Sequence, residues 1–251
     1  MTTIERTTQT VTTTDRILVS VDHYQGSRGD AALIICPGFF QSKDTATFQR
    51  LSQALAAVCD VVAMDFRGHG RSGGLFTFSA REGADLEAVL TWARPRYPRL
   101  VVMGFSLGAA TAINTLARSA DGVRGLITVS APSCFEEIEF KWWTPEAMRT
   151  GADGLEAGAG CRPGNLWLAK ERPVETVQRL QEVPTLFIHG THDVIIDVRH
   201  SHRLHAAAPG PKHLEIVEGG SHAEALFRDD PEGFLRLVTP WLARTLLSSG
   251  G

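Results

Sequence analysis

One stretch, LVVMGFSLGAATAINTLAR at positions 100–118, limits what this chain can fold into more than any other. Residues 100–103 are apolar and have strand character. Residues 109–118 are rich in good helix formers. Between them stands Gly104-Phe105-Ser106-Leu107-Gly108, which must convert a strand into a helix within a few residues. The spacing has a mechanical reason. So tight a turn strains its central residue and leaves no room for bulky flanking side chains, and Gly104 and Gly108 supply that room. The turn lifts the Ser106 hydroxyl clear of the sheet. The following helix aims its N-terminal amides and positive dipole end at the same place. No Lys follows the second glycine, so a phosphate loop of the Walker type is excluded.

The rest of the chain repeats the same rhythm. Residues 7–14 and 16–21 alternate as two strands and predict an antiparallel hairpin turning near Thr14-Asp15. Residues 31–36, AALIIC, are wholly apolar and too short for a helix, which predicts a strand buried on both faces. Further strands are predicted at 61–64, 126–130, 185–189 and 214–217, and helices at 47–58, 81–93, 174–181, 198–208 and 231–247. Strands alternating with helices predict an α/β architecture: a mostly parallel sheet with helices on both faces. Right-handed crossovers bring the strand C-termini to one edge, where a site is expected. The rhythm breaks between 133 and 170. That segment has no clear strand, is rich in glycine, and carries Phe135, Phe140, Trp142, Trp143 and Trp167.

Composition narrows the function classes. A length of 251 residues suits one large domain or two small ones. A net charge of −3 with no Lys/Arg run argues against nucleic acid as a partner. The polar N-terminus has no apolar signal core, and no stretch is long enough to cross a membrane, so neither a secretory signal nor a membrane partner is expected. Cys36, Cys59, Cys134 and Cys161 lack metal-site spacing. They read as the reduced thiols of a cytoplasmic protein. The sequence assigns no oligomeric state.

Each loop at the expected edge carries chemistry. Pro37-Gly38-Phe39-Phe40 follows one strand, and Asp65-Phe66-Arg67-Gly68-His69-Gly70-Arg71-Ser72 follows another. Ser106 comes next, then Gly190-Thr191-His192-Asp193, then Glu218-Gly219-Gly220-Ser221-His222. With Ser, Asp and His in that order, residues 33–247 resemble the α/β-hydrolase superfamily, in its serine esterase, lipase and aminopeptidase-like branch. The resemblance implies a single α/β-hydrolase domain with a small cap inserted at about 133–170.

It also implies a nucleophile at Ser106, a base at His222 and an acid at Asp193. A serine hydroxyl needs an imidazole to take its proton, and the imidazole needs a carboxylate to fix its tautomer. Asp197 is the competing acid, and its ordinary role would be to cap the next helix. Asp65 reads as part of a structural turn. His200, His202 and His205 read as the solvated face of a helix, and no carboxylate or cysteine pattern makes them a metal site. His189 reads as structural, and His69 as a turn residue near the site. His23 and His213 have no evident partner.

The resemblance places oxyanion donors at the Phe39 and Leu107 amides. Many relatives have His-Gly where this chain has Pro37-Gly38. A backbone amide does the work, so the exchange does not block it. Phe40, Trp142 and Trp143 are candidate walls of a substrate pocket. The implied activity is hydrolysis of carboxylic esters of small, soluble acyl substrates through an acyl-serine, with no cofactor or metal. The same triad would serve a thioesterase, acyltransferase, peptidase or cofactor-free perhydrolase. A ligand-binding receptor on this fold would not need all three residues. Serine at the turn argues against relatives with an aspartate nucleophile.

Overall fold

A computed structural model describes residues 4–138 and 156–247. The eight strands are β1 (Arg6–Thr12), β2 (Leu18–Tyr24), β3 (Ala31–Cys36), β4 (Asp60–Met64), β5 (Arg99–Phe105), β6 (Val123–Val129), β7 (Thr185–Gly190) and β8 (Lys212–Val217). They form one sheet in the order β1-β2-β4-β3-β5-β6-β7-β8. Strands β3 to β8 run parallel, whereas β1 and β2 pair antiparallel with each other and β2 pairs antiparallel with β4.

The alternation along each central strand decides where the helices lie. In β3, Ala32, Ile34 and Cys36 face one apolar layer with Leu86, Val89 and Leu90 of α2 (Gly83–Ala93) and Ala109 and Ile113 of α3 (Leu107–Leu116). Leu33 and Ile35 face the other layer with Phe48 and Leu51 of α1 (Ala46–Leu55). Both faces of β3 are therefore buried, as six consecutive apolar residues require.

The short α4 (Pro173–Thr176) and α5 (Arg199–Ala207) complete the first layer, through the adjoining Val177 and through Leu204. The second layer is completed by α6 (Ala225–Asp229) and α7 (Pro231–Leu247), through Phe227, Phe234, Val238 and Leu242. Burying each of these large apolar side chains is worth about 1.5–3 kcal/mol.

Several local expectations shift. The hairpin strands start and end differently, with Thr13 to Ile17 making the turn: Ile17 N–H donates to Thr13 Oγ1, and Thr13 N–H to the Ile17 carbonyl. The helix expected over 174–181 is a single α turn followed by a 3-10 turn at Val177–Arg179. The helix after Ser106 begins at Leu107, at the elbow itself. The expected cap falls partly outside the described residues, since 139–155 are not among them.

Residues 156–164 run as a strap across two loops of the strand edge. Glu156 accepts the Thr47 N–H, Gly158 O accepts the Ser42 hydroxyl, and Gly160 N–H donates to Phe40 O. Arg162 N–H donates to Gly68 O and Gly164 N–H to Phe76 O. Among the described residues no helix is long and apolar enough to cross a membrane.

Candidate active site

The C-terminal ends of β3, β5 and β6 lie in register: Cys36 pairs with Gly104, and Phe105 with Val129. Ser106 comes directly after β5, with φ 49° and ψ −116°. This conformation is sparsely populated for a residue with a side chain and costs on the order of 1–3 kcal/mol. Close packing holds it. A Cβ on Gly104 would come 2.5 Å from Ala109 Cα, and one on Gly108 would overlap the carbonyls of Cys36 and Pro37. Only glycine permits this approach of helix to strand. The Ser106 N–H donates to Val129 O at 2.8 Å, which pins the elbow to β6.

The loop after β3 presses against the elbow, since a Cβ on Gly38 would meet Ser106 Cβ at 3.2 Å. This packs the loop that carries Phe39 against the elbow. Among the described residues, neither the Phe39 nor the Leu107 N–H donates to any group. Two free amides flanking a strained serine can receive an anionic oxygen.

The loops after β7 and β8 pack on each other. A Cβ on Gly190 would overlap the Gly220 carbonyl, and His192 N–H donates to Gly220 O at 2.9 Å. This contact carries Asp193 to His222: Nδ1 of His222 lies 2.7 Å from Asp193 Oδ2. The other carboxylate oxygen, Oδ1, accepts the N–H groups of Ile195 and Ile196 at 2.9 and 2.8 Å. His189 Nε2 lies 2.8 Å from the Ile196 carbonyl and 3.2 Å from Asp193 Oδ2. A carbonyl only accepts, so His189 carries its proton on Nε2, and its Nδ1 accepts the Ser201 hydroxyl at 2.6 Å. Asp193 is thus a fully buried carboxylate between two imidazoles.

Electrostatics agree with an ion pair. Burial pushes the Asp193 carboxyl up, but the His222 charge and the hydrogen bonds from His189 and His222 outweigh it, leaving the group well below the ordinary carboxylate range. Burial pushes His222 down, and the Asp193 charge and hydrogen bond, with a smaller push from Glu224, raise it above the usual histidine value.

Ser106 and His222 are joined through β6. Ser130 follows the strand residue that accepts the Ser106 N–H, and Ser130 Oγ accepts the Ala223 N–H at 3.0 Å. Among the described residues no hydrogen bond links the Ser106 hydroxyl to His222. Such contacts often tighten only when substrate is bound.

The competing acid has other work. Asp197 Oδ1 accepts the Arg199 N–H at 2.9 Å just before α5, whose N-cap position is Val198 and not Asp197. The solvated-face expectation fails for His200, which is fully buried with Nδ1 2.8 Å from Ser133 Oγ. The loop after β6 covers that face of α5. His23 finds partners in Asp60 and Tyr97, and His213 in Glu215.

An aromatic group surrounds the Phe39 loop. Phe39 stacks on Phe76 with ring centres 5.1 Å apart, Phe78 meets Phe76 edge-on, and Phe135 meets Phe78 edge-on. Phe40 is partly exposed beside Phe39. Trp142 and Trp143 lie outside the described residues. The sequence offered no sign that Phe76 and Phe78 belong to this edge, because they stand in an irregular loop. Among the described residues no cluster of His, Cys, Asp and Glu could hold a metal ion.

A mostly parallel sheet with a serine elbow after its fifth strand, and an Asp–His pair after its last two, is the architecture of the α/β-hydrolase fold. The family model described as alpha/beta hydrolase fold matches residues 31–150, and the chain has the α/β-hydrolase fold. An uncharacterized protein of Mycobacterium tuberculosis is 43% identical over 65 residues, 26% of this chain and 18% of its own length. The chain therefore spans under a fifth of that relative. The human serine hydrolase BPHL is 23% identical over 242 residues, covering 84% of this chain and 80% of its own. The Pyrococcus furiosus esterase Pf2001 superposes with a TM-score of 0.79 at 21% identity, over 97% of this chain and 92% of its own, a likeness of fold.

Proposed function

We propose that the protein is a serine hydrolase that cleaves carboxylic esters of small substrates. The observation that carries this reading is the 2.7 Å contact between His222 and buried Asp193 at the same sheet edge as the strained Ser106. In this reading His222 Nε2 takes the Ser106 proton as Oγ attacks the ester carbonyl. The Phe39 and Leu107 amides bind the oxyanion. His222 then protonates the leaving alcohol, and the acyl-serine remains. Water, deprotonated by the same imidazole, releases the acid and restores Ser106. Asp193 keeps the Nδ1 proton on His222 and stabilises the imidazolium.

Esters are preferred over other acyl bonds because fold relatives from Pyrococcus furiosus and Rhodococcus are named esterases. The acyl group would lie against Phe39, Phe40, Phe78 and Phe135, an apolar wall reached from three loops. Residues 133–170 would form a small cap on a single hydrolase domain.

The test is a fluorophosphonate probe together with a panel of p-nitrophenyl esters, thioesters and anilides. The reading expects labelling at Ser106 and fastest turnover on short esters. Labelling absent from Ser106, or turnover confined to anilides, would contradict it.

A further inference from the structure

His69 lies in the loop after β4 and is 2% exposed, yet the triad chemistry does not use it. Its two ring nitrogens have defined roles. Nδ1 is 3.2 Å from the Arg67 carbonyl, which can only accept, so the proton sits on Nδ1. Nε2, 3.1 Å from Phe40 N, then accepts the Phe40 N–H. Burial holds the imidazole neutral, with its pKa pushed down to about 4 against a counteracting hydrogen bond to the Arg67 carbonyl.

The residue it holds is unusual. Phe40 has φ 68°, a left-handed conformation that a residue with a branched or bulky side chain adopts only under constraint. Two opposed hydrogen bonds supply the constraint: its N–H goes to His69 and its carbonyl accepts Gly160 N–H at 2.7 Å. The imidazole also meets the ring of Phe39 edge-on at 6.2 Å and that of Phe76 at 4.9 Å. Phe39 is thus gripped at its ring and at the peptide that follows it, while its own N–H stays free.

We propose that His69 is a positioning residue for the oxyanion site: by accepting the Phe40 N–H it fixes the chain so that the Phe39 N–H points at the oxygen. This rests on the reading of Ser106 as nucleophile. Without the acceptor, Phe40 N–H would be an orphaned donor and the loop would turn to satisfy it. The Phe39 amide would move with it. Displacements of an ångström at such a donor typically cost on the order of 10- to 100-fold in rate.

The test compares His69→Leu, His69→Asn and His69→Gln in the full chain on p-nitrophenyl acetate. Rates are counted per active site by fluorophosphonate titration, so that unfolded protein drops out. The Leu variant has no acceptor, Asn is too short to reach the Phe40 N–H, and the Gln oxygen can reach it. The expected result is a fall in kcat of about 10- to 100-fold for Leu and Asn, with KM nearly unchanged, and recovery of most of the rate in Gln. Should Leu not fold, Asn against Gln decides the point. Equal rates in all variants, or losses that follow melting temperature and not the acceptor, would overturn the positioning role while leaving the hydrolase reading intact. Wild-type protein that does not label at Ser106 would overturn both.

Discussion

His222 Nδ1 and Asp193 Oδ2 lie 2.7 Å apart although 29 residues separate them in the chain. The intervening helix and strand return the chain to the same edge, and the Gly190–Gly220 contact sets the distance. The carboxylate's other oxygen is held by two backbone amides, so Asp193→Asn can keep the loop intact. The amide nitrogen would then face His222 Nδ1 and force the proton onto Nε2, the wrong tautomer for a base. Asp193→Asn is expected to lower kcat by about 10⁴-fold. Asp197→Asn, which touches only the start of α5, should leave kcat within a few-fold. Steady-state kinetics on one ester with both variants checks this, and an exchange of the two results would move the acid to Asp197.

The pH dependence arises from the same pair. His222 is raised above the ordinary histidine value of 6.5, and only its neutral form can take the serine proton. The pH profile of kcat/KM should therefore fall as pH drops through an apparent pKa above 6.5. Stability moves the other way. A raised folded pKa means the protonated imidazole stabilises the fold below 6.5, and that contribution disappears as pH rises through the folded value. Melting curves of wild type and His222→Gln across this range should converge as pH rises. An activity profile centred below 6.5 would contradict the ion pair.

The elbow glycines carry a separate prediction. In Gly104→Ala the new methyl would sit 2.5 Å from Ala109 Cα, a backbone atom that cannot step aside. Overpacking of this kind costs about 1–3 kcal/mol. The melting temperature should fall by several degrees, and phosphonate labelling should slow as the elbow shifts. Wild-type melting and labelling rates together would show that helix and strand are not clamped there.

Much of the sheet was legible because burial on both faces leaves a plain signature. AALIIC at Ala31–Cys36 is a strand with the predicted limits, and Pro231–Leu247 is a helix with the predicted limits despite Pro240. The five-residue helix Ala225–Asp229 is too short to show periodicity and went unseen. His200 misled because most side chains near it in RHSHRLHAA are polar, and its hydrogen-bond partner Ser133 is distant in the chain. At the site, the order Ser, Asp, His was readable from strand ends. The contacts of His189 with Asp193 and of His69 with Phe40 were not. They depend on how loops from different strands fold over the edge, which no local spacing encodes.

The central claim is that Ser106 is the nucleophile, and Ser106→Ala tests it most directly. The measurement is turnover of p-nitrophenyl acetate by wild type and variant, with circular dichroism to show that both are folded. The account predicts a loss on the order of 10⁴-fold or more in the variant, with its melting temperature kept. Unchanged turnover in a folded Ser106→Ala protein would contradict it.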